Sequence, residues 1–377
     1  MNKIKVLHIT FDMAIAGTEQ VIRQLVENTD LTQFEVAICC IDGKIGELGQ
    51  KLQAQGVRFY TLKRGGGLDR ALIRDLKKLV QDKQIDVLHC HQYTPYIYGL
   101  FASFGTQAQV IFTEHGRFYP DSYKWKRYVL NPVLSLFTFA ITAISQATNH
   151  ALVKYENFPR WKIRTLYNGI RENNPIELKG FLAEAQSLRQ ELKLSDDTLV
   201  FGTISRLDSI KNQDMMIRAF ALTRTQHPDC HLLIVGDGPE REKLEALVDE
   251  LNMRKHITFT GFKVDPKPWF AVIDVFLLSS LSEGTSMTLL EAMAFAKPSI
   301  VTDVGGNPEI VAAEKTGLVT PTKDVNAFYH AMLRLAQNRG LAIRLGEQAQ
   351  QRFREQFTVR VMADSYQDLY TQAARNR

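Results

Sequence analysis

The sequence predicts an α/β protein built from two doubly wound halves, and two observations lead to this prediction. The chain has 377 residues, which at roughly 100–200 residues per domain is enough for two domains. Short, continuously apolar runs alternate with stretches of helical periodicity in both halves. Strands buried on both faces have such continuous runs, so these runs indicate parallel sheets covered by helices on either side.

The first half, residues 1–171, contains seven predicted strands. A helical pattern follows the first of them at residues 19–28, where Val21, Ile22, Leu25 and Val26 share one face. Similar patterns separate the other strands, as a doubly wound sheet requires. The predicted strands are residues 5–10, 35–41, 57–62, 85–90, 110–113, 139–144 and 164–167.

The second half repeats the alternation after a polar stretch. Residues 172–197 are poor in strand signals, and Glu172-Asn-Asn-Pro175 is a plausible breaker, so we predict a linker there. A second domain is then expected over residues 198–357, and a helical tail follows. The predicted strands are residues 199–204, 231–235, 257–260, 275–278 and 299–301.

Composition and charge exclude several classes of protein. We expect no signal peptide at the start of this sequence and, because no run of ~18 apolar residues occurs, no helix that spans a membrane. The four cysteines lack metal-ligand spacing and are expected to be buried thiols of a reducing compartment. The net charge is +5: residues 1–171 carry +8, with 22 Lys and Arg against 14 Asp and Glu, and residues 172–377 carry −3. The first half therefore suits an anionic partner, or simply has a solvated basic face.

Two cations follow the first strand of the second half. Arg206 and Lys211 lie five residues apart in a loop at the strand's carboxyl end, the edge at which open α/β sheets bind ligands. Arg binds phosphate oxygens as a fork and Lys acts as a point charge, so the pair can converge on one diphosphate. The alternative is a pair of solvated surface cations.

Two carboxylates, Glu283 and Glu291, have seven residues between them. Glu283 lies in the loop after the strand at 275–278, and Glu291 lies in the next helix. Carboxylates there can hold sugar and ribose hydroxyls, and the amides that open the helix can hold phosphate. The alternatives are an exposed loop carboxylate for Glu283 and a capping box, Thr288-x-x-Glu291, for Glu291.

Weaker candidates lie at other strand ends. Gly17 opens a helix after the first strand and could let phosphate approach the backbone, unless it is a turn glycine. His115, in Thr113-Glu-His-Gly116, could bond a sugar hydroxyl, unless it is structural. Phe262 could wall a nucleobase. His89 and His91 look like metal ligands, but without a third ligand in the sequence nearby we predict no metal site.

These residues and their order resemble the retaining glycosyltransferases of family four, which have the GT-B fold of two facing Rossmann-like domains with a cleft between them. The resemblance runs through nearly the whole chain. Its motifs are Ala16-Gly17-Thr18-Glu19, Thr113-Glu-His-Gly116, Ala143-Ile-Ser-Gln146, Tyr167-Asn-Gly-Ile170, Arg206-Leu with Lys211, Val235-Gly-Asp-Gly-Pro239, Glu283 with Glu291, and Thr302-Asp-Val-Gly-Gly-Asn-Pro-Glu309.

The resemblance implies a role for each site residue. Arg206 and Lys211 would clamp the donor diphosphate, Glu283 and His115 would contact the donor sugar, and Glu291 would hold the ribose. Gly17 and the amides of Met287, Thr288 and Leu289 would lie near phosphate. The resemblance also implies no metal and no cofactor, and a last helix, about residues 358–377, that packs on the first domain.

The implied activity is that of a hexosyltransferase acting with retained configuration. A sugar would move from a nucleotide diphosphate sugar to a hydroxyl of a glycan or lipid-linked acceptor, in bacterial cell-surface polysaccharide synthesis and in the cytoplasm. Family frequency favours a UDP-sugar over a GDP-sugar. The alternatives are a nucleotide-sugar epimerase of the same fold and a non-catalytic sugar-nucleotide binding protein. No nucleic-acid partner is expected.

The chain departs from the family pattern at several glycines and beside the donor sugar. Asn212 and Ala296 stand where glycine is usual, and Thr285-Ser286 replaces a pair that commonly ends in proline. The second departure leaves the identity of the donor sugar open. Aromatic and basic residues mix over 119–130, as in an interfacial anchor, which suggests peripheral contact with a cytoplasmic membrane surface. The alternative is an ordinary helix.

Overall fold

A computed structural model describes residues 3–116 and 122–376 and divides the chain into two compact units. The first unit is Met1–Arg171 with Thr358–Arg377, and the second is Glu172–Phe357. No helix within the described residues combines the length and the apolar character that spanning a bilayer requires. All four cysteines are free and buried.

The first unit is built on a parallel sheet of seven strands in the order β3-β2-β1-β4-β5-β6-β7. This order reverses direction between β1 and β4, the kind of switch point at which doubly wound sheets bind ligands. The strands are β1 (Ile4–Thr10), β2 (Phe34–Cys40), β3 (Arg58–Thr61), β4 (Val87–His91), β5 (Gln109–Glu114), β6 (Ala140–Ala143) and β7 (Ile163–Thr165).

Helices cover both faces of this sheet. One face is apolar, and its Leu7, Ile9, Leu88 and Cys90 pack in a large core cluster. The helices of this unit are α1 (Gly17–Glu27), α2 (Glu47–Ala54), α3 (Arg70–Lys83), α4 (Tyr93–Ser103), α5 (Trp125–Leu136), α6 (Gln146–Glu156) and, from the end of the chain, α15 (Val359–Arg375).

The second unit has a six-stranded parallel sheet in the order β10-β9-β8-β11-β12-β13. Here the order reverses between β8 and β11. The strands are β8 (Leu199–Ile204), β9 (Cys230–Val235), β10 (Ile257–Gly261), β11 (Val275–Leu278), β12 (Ser299–Thr302) and β13 (Gly317–Thr320). The helices are α7 (Pro175–Glu191), α8 (Gln213–Gln226), α9 (Arg241–Glu250), α10 (Lys267–Val272), α11 (Met287–Ala294), α12 (Asn307–Ile310), α13 (Val325–Gln337) and α14 (Arg339–Gln356).

The twelve predicted strands are present with ends displaced by no more than two residues, and the fold class is confirmed. Sequence reasoning missed β13, a four-residue strand whose identity depends on its pairing with β12. Residues 172–197 also differ from the linker we expected, because they lie in the second unit and contain α7. Asn174 and Glu177 form a capping box, and Pro175 is the first helical residue, so the supposed breaker starts a helix.

Two of the departures from glycine, Asn212 and Ala296, occur where the backbone is left-handed. Asn212 has φ 50° and Ala296 has φ 55°. Asparagine tolerates this region, but an alanine there is strained by about 1–2 kcal/mol. Ala296 follows the C-cap of α11, the position at which helices most often place glycine.

Replacing Ala296 by glycine should therefore stabilise the second unit. We expect Ala296→Gly to raise the thermal unfolding midpoint by about 2–4 °C, since it removes roughly 1 kcal/mol of strain. Ala294→Gly is the matched control: Ala294 is the last residue of α11, so glycine there should lower the midpoint. A lower midpoint for both variants would contradict the strain at Ala296.

Candidate functional site

Three charged residues of the second unit lie at the switch point of its sheet. Arg206 and Lys211 are in the loop after β8, and Glu283 is in the loop after β11. Because β8 and β11 are neighbours in the sheet, the ends of both strands deliver these side chains to the same edge. The reversal of strand order therefore brings together residues that are 72 positions apart in the chain.

Lys211 and Glu283 contact each other directly. Lys211 Nζ donates to Glu283 Oε1 over 2.6 Å, and Ser280 Oγ donates to the same oxygen over 2.6 Å. The Glu283 side chain is only 8% exposed, and a carboxylate so buried requires a charged partner. An ammonium has three N–H groups and uses one here, so Lys211 can bind Glu283 and donate to a further anion.

Backbone contacts hold both loops in place. Gly305 has φ 52°, and a Cβ built on it would lie 1.8 Å from the carbonyl oxygen of Glu283. Gly236 has φ 138°, and its Cβ would lie 2.0 Å from the carbonyl oxygen of Ser205. The Gly236 segment therefore supports the loop that carries Arg206.

Side chains that sequence reasoning missed complete this support. Gln213 Nε2 donates to Ser205 Oγ (3.1 Å) and to the Arg206 carbonyl (3.0 Å). Ser279 Oγ donates to the carbonyls of Lys211 (2.9 Å) and Asn212 (3.0 Å). The only sequence signal was the pair of small polar residues, Ser279 and Ser280, directly after an apolar strand.

The start of α11 differs from the capping box that we considered. Ser286 is the N-cap, and its Oγ accepts from the Leu289 amide over 3.4 Å. Glu291 lies two residues beyond the helix position that would complete a box with this cap, so capping does not account for it. The Leu289 amide is also occupied by the cap, whereas the amides of Met287 and Thr288 precede it in the same first turn.

Glu291 is a partly buried carboxylate with an unmatched oxygen. Its Oε2 is inaccessible and has no hydrogen-bond partner among the described residues. Burial raises the pKa of this carboxyl to about 7; Lys267 opposes the shift, and Asp265 adds to it. A carboxylate kept from solvent without a partner can accept hydrogen bonds from a ligand's hydroxyl groups.

A cavity of about 380 Å³ in the second unit is lined by three of the predicted site residues, Arg206, Phe262 and Thr288. Pro266, between the two charged residues that act on Glu291, also lines it. Arg206 is 71% exposed and lies 3.8 Å from Asp208, a weak surface pair that leaves its guanidinium accessible. The cavity therefore offers a cation, an exposed aromatic ring and the start of a helix to one ligand.

In the first unit, His115 lines a cavity of about 430 Å³ with Thr18, Gln92 and Glu114. Burial lowers the pKa of His115 to about 3, so the imidazole is neutral at physiological pH. Gly17 immediately precedes Thr18. A Cβ on Gly17 would meet nothing within 4 Å, so neither a left-handed backbone nor crowding within the chain requires glycine there.

Gln92 is a residue of this cavity that sequence reasoning missed. Its backbone has φ 70° and ψ 163°, a region that is almost restricted to glycine and that costs a side-chain-bearing residue about 1–3 kcal/mol. Its Nε2 donates to Thr18 Oγ1 over 3.2 Å, which ties the end of β4 to the start of α1. No sequence pattern marks such a backbone.

His89 and His91 have the third histidine that the sequence did not show. His8 of β1 pairs in register with His89 of β4, and one ring nitrogen from each of the three residues lies within 4.8 Å of the other two. Both nitrogens of His89 bind hydroxyls, Tyr370 Oη at 2.8 Å and Thr113 Oγ1 at 2.6 Å. Both nitrogens of His91 bind other histidines, at 3.0 and 2.8 Å. The cluster is therefore a hydrogen-bonded network.

Two family models match the chain, and they meet near the boundary between the units. The model described as glycosyltransferase family 4 matches residues 15–173, and the model described as glycosyl transferases group 1 matches residues 184–352. Together they include every site residue that was predicted from the sequence.

Curated relatives and solved structures agree with this match. The chain is 28% identical to N-acetyl-alpha-D-glucosaminyl L-malate synthase of Bacillus anthracis over 85% of this chain and 83% of that protein. It is 25% identical to the UDP-Gal:alpha-D-GlcNAc-diphosphoundecaprenol alpha-1,3-galactosyltransferase of Escherichia coli over 100% and 99%. Among solved structures, a glycosyltransferase from Rickettsia africae has a TM-score of 0.86 at 17% identity, with full coverage of both chains. HepE of Anabaena, crystallised with UDP, has a TM-score of 0.84 at 19% identity, covering 98% and 100%.

The environment of Glu291 should make stability depend on pH. Because burial raises its pKa from 4.5 to about 7, the folded protein binds more protons than the unfolded chain between these values. Its contribution to stability is complete below about pH 4.5 and is lost as pH rises through 7. Glu291→Gln removes this term, so the variant should gain about 2–3 kcal/mol relative to the parent protein between pH 4.5 and 8.

Denaturant unfolding of both proteins at several pH values measures this difference. Glu309→Gln, on the short helix α12 of the same unit, serves as the control for loss of a glutamate charge. If the free energies of unfolding of the parent protein and Glu291→Gln change in parallel with pH, Glu291 has an ordinary pKa and the prediction is wrong.

Proposed function

The chain is a glycosyltransferase of family four with the GT-B fold, and from that premise we propose that it transfers a sugar, with retained configuration, from a nucleotide diphosphate sugar to a hydroxyl group. The observation that carries this proposal is the Lys211–Glu283 pair at the switch point of the second unit, beside the start of α11. A cation and a carboxylate joined in this way can contact a diphosphate and the sugar attached to it.

Each part of a donor has a candidate partner in the second unit. Arg206 and Lys211 bind the diphosphate, with the amides of Met287 and Thr288 at the helix start. Glu283 holds a hydroxyl of the donor sugar, and Glu291 accepts from the two ribose hydroxyls. Phe262 lines the cavity that contains Arg206 and provides a face for the nucleobase.

We propose that the nucleotide of the donor contains uridine, so that the donor is a UDP-sugar. The Escherichia coli relative is named for a UDP-sugar, and the Anabaena structure holds UDP. In the first unit, His115 contacts the donor sugar, and the open space at Gly17 leaves room for phosphate. No metal or cofactor takes part in this proposal.

The proposed reaction exchanges one bond at the anomeric carbon for another. The bond between that carbon and the diphosphate oxygen breaks, and the acceptor oxygen bonds to the same face of the sugar. The departing diphosphate takes the acceptor's proton. Lys211 and Arg206 stabilise the negative charge that develops on the leaving group, which is electrostatic catalysis by donors already in place.

Removing the ammonium of Lys211 should lower turnover, and it should also lower stability because Glu283 then lacks its charged partner. We expect Lys211→Ala to lower kcat by about 10²–10³-fold, the usual effect of losing one fixed donor to a developing charge. Turnover is measured as release of nucleoside diphosphate from a panel of UDP-sugars in the presence of saccharide acceptors. Lys243→Ala, an exposed lysine paired with Glu240, is the control and should turn over normally.

Turnover of Lys211→Ala at the parental rate would contradict the role of Lys211. Donor incubated with the protein alone separates the transferase from an epimerase, because a transferase requires acceptor whereas an epimerase changes the donor by itself. Donor binding without turnover in any acceptor mixture would favour a sugar-nucleotide binding protein.

For the acceptor, we propose a lipid-linked saccharide reached at an anionic membrane surface. Helix α5 exposes an apolar row, Trp125, Val129, Val133 and Leu136, spaced so that its members share one face. Lys124 and Lys126 flank it, and Lys126 Nζ lies 5.8 Å from the Trp125 ring centroid. Apolar side chains edged by cations suit the boundary between acyl chains and anionic headgroups. Residues 119–121 of the predicted anchor lie outside the described residues.

The lipid part of this acceptor has support from a relative and from the charge of the first half. The name of the Escherichia coli relative includes a diphosphoundecaprenol-linked sugar. An excess of Lys and Arg over residues 1–171 favours both an anionic bilayer and a diphosphate. These observations also support a role of the proposed reaction in cell-surface polysaccharide synthesis.

Charges in the apolar row of α5 should abolish membrane binding. We expect Val129→Glu with Val133→Glu to lower binding to phosphatidylglycerol-containing vesicles at least about tenfold in sedimentation, because burying carboxylates in the interface is unfavourable. Ile176→Glu, on an exposed position of α7, should bind like the parent protein. Equal sedimentation of all three proteins, or no binding by the parent protein, would contradict the proposed surface.

A further inference from the structure

Three histidines of the first unit form a continuous chain of hydrogen bonds. His8 Nδ1 lies 3.0 Å from His91 Nε2, and His91 Nδ1 lies 2.8 Å from His115 Nε2. His8 and His91 are completely buried, whereas His115 lines the cavity of the first unit. The histidine chain, defined as His8, His91 and His115, thus connects the core of the sheet with a candidate ligand site.

The tautomers of these three rings depend on one another. Each hydrogen bond joins two ring nitrogens and therefore needs a proton on one of them only. Each neutral imidazole carries one proton. If His8 is protonated at Nδ1, His91 must be protonated at Nδ1, and His115 must then be protonated at Nδ1 as well. The opposite choice at His8 places the proton of all three rings on Nε2.

All three rings of the histidine chain are neutral at physiological pH. Burial lowers the pKa of His8 and of His115 to about 3, and it lowers the pKa of His91 well below the ordinary value. Neighbouring histidines add to the shift at His91. At physiological pH each of the three rings therefore carries one N–H proton. The only remaining choice is whether all three protons are on Nδ1 or all three are on Nε2.

The two ends of the chain differ in a way that selects the direction. His8 Nε2 and His115 Nδ1 are inaccessible and have no partner among the described residues. One of them must carry an N–H group, and a buried N–H without an acceptor is rarely tolerated. His8 Nε2 lies in the core, where no ligand can reach it. His115 belongs to a cavity wall, where a ligand oxygen can accept the bond after a small rearrangement.

We infer that His8 and His91 are positioning residues that hold His115 as the Nδ1–H tautomer, so that it donates a hydrogen bond to an oxygen of the bound ligand. His115 then acts as a neutral donor and takes no proton from the acceptor. This inference rests on the proposed function for the identity of the ligand, a nucleotide diphosphate sugar. The tautomer itself is a property of the protein alone.

Ring contacts within the sheet pack closely around the histidine chain. The His89 ring lies 4.1 Å from the His91 ring between centroids, and the His8 and His91 rings are stacked at 5.3 Å. His89 is bound to Tyr370 and Thr113 and belongs to no bond of the chain. It therefore provides a variant of equal burial that removes a ring beside the chain and leaves the chain's own hydrogen bonds intact.

The direct test is nitrogen-15 NMR of the full-length protein labelled at its nine histidines. Long-range proton–nitrogen correlations distinguish a protonated from an unprotonated ring nitrogen, and the spectrum of His115→Asn assigns the His115 signals. We expect His115 to be protonated at Nδ1 and bare at Nε2 in the protein without ligand. Protonation at Nε2, or exchange between both forms, would overturn the inference.

Two substitutions of His91 separate positioning from packing. In His91→Gln, the amide can accept from His8 and donate to His115, so the Nδ1–H form should persist. In His91→Leu neither bond exists, and His115 should populate both tautomers. The control His89→Gln should lower the unfolding midpoint without changing the His115 signals. A His115 tautomer that is the same in His91→Leu as in the parent protein would overturn the role of His91.

Activity provides a separate readout. We expect His91→Leu to lower kcat about tenfold, the effect of losing one hydrogen bond to the ligand, and His91→Gln to recover most of it. The kcat of the parent protein should not titrate between pH 5 and 8 through His115. If no sugar donor is turned over, the proposed function fails while the tautomer assignment stands; if turnover occurs with an Nε2–H His115, only this inference fails.

Discussion

The ion pair between Lys211 and Glu283 is the interaction on which the candidate donor site depends. Glu283 is nearly buried, and its carboxylate is stable there because Lys211 and Ser280 both bind Oε1. The partners come from the loops after β8 and β11, which are neighbours because the strand order reverses between them. The site's charge arrangement therefore follows from sheet topology, and Gly305 maintains it by allowing a backbone approach that a Cβ would block.

The two carboxylates of this region are held in opposite ways. Glu283 is paired and accepts two hydrogen bonds within the chain. Glu291 has an unmatched buried oxygen, and burial raises its pKa to about 7. Unmatched buried polar groups are costly, so a protein retains them mainly where a ligand completes the bonding. The contrast supports different roles in the proposed site: Glu283 would organise it before a ligand arrives, and a ligand would complete the hydrogen bonding of Glu291.

The first unit contains a buried layer of polar side chains on one face of its sheet. One face of β1 and β4 carries His8, His89 and His91, and α15 covers it with Tyr366 and Tyr370. Buried imidazoles are stable there because nearly every ring nitrogen has a partner. The last helix of the chain therefore completes hydrogen bonds of the first strands, and the few nitrogens left over lie at the ends of the histidine chain.

The sequence by itself determined the fold class, nearly all of the strands and the glycosyltransferase family, because apolar periodicity and motif order are properties of short segments. It also indicated which residues follow the strand ends. Only the tertiary structure decided how they are paired: that Lys211 meets Glu283, that Ser286 caps α11, and that His8 joins His91 and His115. It also placed residues 172–197 in the second unit and Gln92 in a strained backbone. These outcomes arise from contacts between residues far apart in the chain, which local patterns do not encode.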